Sequence, residues 1–126
     1  MRNALRIALL SLALGLPAQS AQAQDIERGP LLICDTQKQA ERLGEVYAGK
    51  SPEALWTVNN EENKPNACVA ANVAFVPGKV LGTVRSKTHT FHVVPIIVLG
   101  VSTQAGMQPV NAAVFFTIRV VKEHSI

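Results

Sequence analysis

The chain carries none of the short signatures that mark common enzyme chemistry. No G-x-S-x-G, H-E-x-x-H, C-x-x-C, Walker or dinucleotide fingerprint is present. Aromatics are scarce, at 5% of residues, with a single tryptophan and a single tyrosine. Nor do polar residues converge around them, which argues against a small-molecule pocket. Acid is nearly missing from the second half. From Ala67 to Ile126 one acidic residue stands against five basic ones, whereas from Gln24 to Asn66 eight stand against five. Neutralisation of an acidic helical layer by a basic sheet is the simplest reading of that split. The functional reading is a weakly basic sheet surface that meets an anionic envelope partner. Five cations over sixty residues do not make the dense face that nucleic-acid binding needs.

The histidines do not fill the gap. His89 and His92 are close in sequence, but strand positions three apart face opposite sides, so they do not jointly hold a metal. Glu61 and Glu62 read as a solvated turn rather than a general acid/base pair. Asp35 beside Cys34 reads as a helix cap. No catalytic set, metal site or cofactor is predicted. A hydrolase with unrecognised residues would have to draw on His89, His92 and Glu61.

What is present begins with a leader. Arg2 and Arg6 form a positive start, Ile7–Leu16 an apolar stretch too short to span a bilayer, and Ala21-Gln22-Ala23 an A-x-A cleavage site. Ala18-Gln19-Ser20 is a second small-residue site. Residues 1–23 are therefore expected to be a secretory signal peptide, 24–30 a flexible arm and 31–126 one globular domain. The net charge of +3 includes the leader's two arginines; the remainder carries ten basic and nine acidic residues. No membrane span is expected after processing, and oligomeric state is not specified. The only two cysteines are Cys34 and Cys68. An even count in an exported chain points to one disulfide.

The remaining signals describe an α+β domain: two N-terminal helices packed on a C-terminal antiparallel β-meander of four or five strands. The sheet either lies open under the helices or curls into a small SH3-like barrel. Leu31–Cys34 is a short apolar run, either a first strand or a lead-in docked on the core. Thr36-x-x-Gln39 fits a capping box, and Ala40, Leu43, Val46 and Tyr47 make one stripe of a helix over Thr36–Ala48, stopped at Gly49. Ser51-Pro52-Glu53 starts a second helix of about two turns, with Ser51 as cap. Trp56 on it is expected to seal one end of the core; its alternative is an exposed stacking platform for a sugar or peptide. Asn60–Asn66 reads as a loop.

Val69–Val76 and Lys79–Ser86 read as a hairpin about Pro77-Gly78. Phe91–Val101 is the central strand, apolar on both alternating sets and so expected to be covered on both faces. Pro95 within it cannot donate to a ladder, which predicts a bend or a change of partner there. Ser102–Pro109 reads as a longer connection. Ala112–Val121 is the last strand, with Val114, Phe116, Ile118 and Val120 inward and Thr117 and Arg119 outward.

Cys34-Asp35-Thr36-x-x-Gln39, Val58-Asn59, Cys68 and Phe75-Val76-x-Gly78 ahead of Phe91-His92-Val93-Val94 resemble a group of small exported bacterial proteins of unknown function. The resemblance spans most of the chain after the leader. It implies that export and the disulfide belong together, and it implies no activity. The expected function is an exported, non-catalytic binding or structural domain of the periplasm or cell surface, meeting an envelope protein or a cell-wall polymer. The candidate binding residues are Trp56, Arg85, Lys87 and His89. The alternative is an inhibitor of an envelope-degrading enzyme, a lysozyme or a protease, acting through Ser102–Pro109.

Overall fold

Thr36 starts the first helix as its spacing predicts. In a computed structural model that describes residues 26–122, the Thr36 hydroxyl accepts from the Gln39 amide at 3.1 Å. The Gln39 carboxamide oxygen accepts from the Thr36 amide at 3.0 Å in return. This reciprocal box satisfies two amides that a helix start leaves without partners. Asp35 is not the cap; its amide donates to the Ala67 carbonyl. The expected leader lies outside the described residues.

The order of elements is β1 (Glu27–Cys34), α1 (Gln37–Val46), α2 (Ser51–Glu62), β2 (Cys68–Pro77), β3 (Gly82–Arg85), β4 (Thr90–Thr103) and β5 (Gly106–Val120). The fold is α+β, with two helices and a five-stranded antiparallel sheet. It is not a simple meander that follows the helices. The stretch expected as an arm enters β1 at Glu27, and β1 pairs with β2 over its whole length. Its polar start hides the strand from a hydrophobicity reading, because Glu27, Arg28 and Pro30 are exposed.

Cys34 lies directly opposite Cys68 in the β1–β2 register, and the two form the disulfide. β1 also meets β5 at Ile33 and Cys34. β2 pairs with β4, and β4 with β5. The pairings therefore run in a ring, β1–β2–β4–β5–β1, with β3 alongside the first part of β4.

β4 changes partner at its proline. On one edge it pairs with β3 through Val93 and then with β2 from Ile96. Pro95 sits in the gap, where its missing N–H costs no ladder bond. Its carbonyl still accepts from Gly78 N–H at 2.8 Å.

Two apolar clusters lie on the two faces of the sheet. Phe91, Val93 and Ile118 pack with Ala40 and Leu43 of α1, Ala54 and Val58 of α2, and the disulfide. Val94, Ile96 and Val98 pack with Ile33, Val73 and Phe75 on the other face. The central strand is thus covered on both faces from Phe91 to Val94, as its double apolar pattern requires. α1 lies close on β3: a Cβ built on Gly44 would collide with the Val84 side chain.

Three local expectations are corrected. Ser51 lies inside α2 rather than ahead of it, and the cap position, Lys50, makes no side-chain cap bond. α2 continues past Asn60 to Glu62 and stops at Asn63, whose left-handed backbone (φ 56°) turns its N–H back to the Asn59 and Asn60 carbonyls. Ser102–Pro109 is not a long connection; β4 and β5 join through the two residues Gln104 and Ala105.

In β5 the sorting of side chains also differs. Thr117 is fully buried and donates its hydroxyl to the Leu32 carbonyl, whereas Val114 and Val120 are 56% and 55% exposed. The helical layer covers Phe116 and Ile118. Val114 and Val120 fall beyond its two ends, and Thr117 faces the opposite cluster across β1. Arg119 is half-buried, with its guanidinium 2.8 Å from Glu27 and 5.7 Å from the centre of the Phe75 ring.

Candidate functional site

Trp56, Arg85, Lys87 and His89 do not form one face. They divide between two recesses on different elements.

The first recess holds Trp56, Asn59, Asn60, Asn63, Lys64 and Pro65, around a volume of about 380 Å³. It is built on the C-terminal end of α2. That helix buries Ala54 and Val58, four residues apart, against the core. Trp56 lies midway between them, about 200° around the helix. It therefore points to solvent and is 67% exposed, rather than sealing the core. Asn60 is one turn on from Trp56 and so beside it on the same face.

Asn59 is the clamp beneath this site. Its amide donates to the Pro65 and Cys68 carbonyls, each at 2.9 Å, and its carbonyl accepts from Cys68 N–H at 2.8 Å. One side chain thereby fixes α2, the following loop and the first residue of β2. Asn60 and Asn63 make no side-chain hydrogen bonds among the described residues, so their amides are free for a ligand.

α1 holds α2 from the other side. Arg42 grips both oxygens of Glu61 at 3.0 Å, and the buried Gln39 carboxamide donates to Glu62 at 3.0 Å. The Arg42 bonds hold the Glu61 carboxyl below its usual range and push the Arg42 guanidinium up. Glu61 and Glu62 thus tie the two helices together, which a reading of them as a solvated turn missed.

The second recess lies at the β3–β4 turn. Arg85, Ser86, Lys87, Thr88, His89 and Thr90 line it with Val120 and Val121, around a volume of about 450 Å³. Ser86 sets the turn: its hydroxyl accepts from the amides of Thr88 (3.1 Å) and His89 (3.0 Å). The Ser86 amide closes onto the His89 carbonyl at 2.9 Å. The His89 ring stands edge-on to Tyr47 at 5.1 Å and is stacked near Phe91 at 5.6 Å. Its Nδ1 is 2.7 Å from the Thr88 hydroxyl.

The expected neutralisation of an acidic helical layer by the sheet does not take place through ion pairs. Among the described residues, Arg42 pairs with Glu45 and Glu61 inside the helical layer, and Arg119 pairs with Glu27 inside the sheet. Arg85 and Lys87 carry no ion pair among the described residues.

A third feature is apolar. Val76, Pro77, Gly78, Pro95, Ile96, Ile97 and Val114 line a groove of about 250 Å³ where the helices do not reach. Beyond it the β4–β5 hairpin is exposed continuously from Ser102 to Val114. From Thr88 to Ile118 the chain has no Asp, Glu, Lys or Arg. The turn at the hairpin's tip is fixed by the Thr103 hydroxyl, which accepts from Ala105 N–H and donates to the Gly106 carbonyl.

No protein-family model, curated protein or solved structure matches this chain. No helix among the described residues is long and apolar enough to cross a membrane.

Proposed function

We propose that this chain is an exported, non-catalytic binding domain of the bacterial periplasm or cell surface, and that its ligand is a cell-wall glycan held at Trp56. The observation that carries this reading is the exposure of the only tryptophan, flanked by free amides. A sugar presents flat C–H faces that stack on an indole, and hydroxyl or acetamido groups that pair with amides. Trp56 supplies the stacking surface, Asn60 and Asn63 supply hydrogen-bonding groups, and Lys64 offers an ammonium to any acidic substituent. The leader pattern and the disulfide support export, and the likeness to small exported bacterial proteins supports the same placement. The ring of strands, read as a small barrel, would give the site a rigid base.

The test is retention of solubilised peptidoglycan fragments on immobilised, oxidised protein. Trp56→Ala should reduce retention at least tenfold while the thermal melting curve stays in place, because the residue is largely exposed. Equal retention by the variant would remove the reading.

The hairpin favours a second reading, inhibition of an envelope-degrading enzyme. Ser102–Pro109 is an uncharged tip that extends past the last β2 pairing of β4 at Val101, a shape suited to a foreign cleft. Absence of inhibition of lysozymes and proteases at micromolar protein would end that reading.

A further inference from the structure

The glycan site leaves the β3–β4 turn unused. We propose that this turn is a separate binding site for a phosphate group, with Arg85, Lys87 and His89 as its donors.

Three observations converge on it. First, the recess contains two cations and an imidazole, and among the described residues no carboxylate lines it. Arg85 and Lys87 have no acidic partner among the described residues, whereas Arg42 and Arg119, elsewhere on the surface, are engaged. Second, the turn is built before any ligand arrives. Ser86 caps the amides of Thr88 and His89, and Tyr47, Phe91 and Thr88 fix the imidazole from three directions. Ordering a loop is a main cost of binding, and here the backbone and one donor are already ordered. Third, the engaged nitrogen of His89 is Nδ1. Nε2 has no protein partner among the described residues, so an anion selects the form that carries a proton there.

The donor set favours phosphate over carboxylate. Arg85 pairs with Thr90 and Val84 with Phe91, so Arg85 and His89 leave the hairpin on opposite faces. A tetrahedral group at the open end of the turn has oxygens to spare for both and for Lys87, whereas a planar carboxylate offers two. The turn has the residues to hold such a group but no activated nucleophile or metal set with which to transform it, so the site is one of binding. The phosphate could be carried by a wall polymer or by a phospholipid headgroup; the chemistry recognised is the same.

The experiment is an amide NMR titration of the full, oxidised protein with inorganic phosphate, at constant ionic strength and with acetate in parallel. Saturable shifts are expected at Ser86 to Thr90 and at Val120 and Val121, with little response to acetate. R85Q/K87Q should weaken phosphate binding at least tenfold with the remaining spectrum unchanged, since both side chains are exposed. Trp56→Ala should leave it unaltered, so failure of the glycan reading and failure of this one are separable. Vesicles of phosphatidylglycerol against phosphatidylcholine then assign the source. Selective broadening of the same amides by the anionic vesicles points to a lipid headgroup, and its absence to a polymer phosphate. Shifts that track ionic strength, that acetate reproduces, or that persist in R85Q/K87Q would overturn the proposal.

Discussion

Asn59 does more for the architecture than its surface position suggests. It makes three hydrogen bonds to the backbone, and one of them satisfies the amide of the buried Cys68. Asn59→Ala leaves that amide without a partner, a loss of about 1–3 kcal/mol. Denaturant unfolding should show a lower midpoint with an unchanged slope; an unchanged midpoint would mean that water replaces the clamp. Glu61 makes a smaller, pH-dependent contribution. Arg42 lowers its carboxyl pKa in the folded state, so folding favours the ionised form. That contribution is complete above the ordinary glutamate value of about 4.3 and fades as pH falls through the lower folded value. Glu61→Gln should therefore lose less stability than the parent on acidification from about pH 6 to about pH 3. Parallel pH profiles for the two proteins would show that the pair is not coupled to folding.

At the scale of elements, β4 is organised by Pro95. A residue's N–H and C=O point to the same edge of a strand, and the Pro95 carbonyl points to the edge where β3 gives way to β2. Pro95→Val would add an N–H at a gap in the ladder. It should gain no stability and should lose about 1 kcal/mol for the unsatisfied donor. A clear gain in thermal unfolding would show that β4 is an ordinary continuous strand.

This partner switch was legible in the sequence because one residue type forbids the alternative. The capping box at Thr36 and Gln39 was legible for a similar reason: two side chains at a fixed spacing have one common use. Other features were hidden for identifiable reasons. Glu27–Pro30 has no apolar alternation, and its strand character comes from β2 alongside it. Gly106 and Pro109 read as loop residues, yet they lie within β5, with Pro109 opposite Gly100. Thr117 breaks the inward–outward rule because the sheet is covered on both faces at that point. The outward position of Trp56 follows from the four-residue spacing of Ala54 and Val58, which marks the buried face of α2. The recess at the β3–β4 turn was visible as Arg85, Lys87 and His89, but the pinning of His89 by Tyr47 joins residues from different elements and has no local signal.

For the molecule as a whole, the disulfide is the covalent closure of the fold. It joins β1 to β2 at the point where β1 also meets β5, and it lies inside the cluster that both helices cover. The loop it closes spans 34 positions, for which the chain-entropy model gives a stabilisation of roughly 3–4 kcal/mol. Reduction, or the paired Cys34→Ala and Cys68→Ala change, should lower the unfolding midpoint accordingly. A loss below about 1 kcal/mol would mean that the β1–β2 pairing holds without the bridge. The same rigidity gives the functional reading its form. The two recesses and the hairpin tip stand on elements fixed from several sides, as a module that binds without changing shape would require.

Trp56 as a binding surface can be tested directly, because the molecule supplies its own reporter: no other tryptophan is present. The measurement is intrinsic fluorescence of the oxidised protein during titration with soluble peptidoglycan fragments, excited to select tryptophan. A sugar stacked on an exposed indole removes water from one face, so a saturable shift of the emission to shorter wavelength is predicted. It should be matched in midpoint by retention of the fragments and should disappear when Asn60 and Asn63 are both changed to alanine. An emission spectrum that stays solvent-exposed through saturating fragment concentrations would contradict the account.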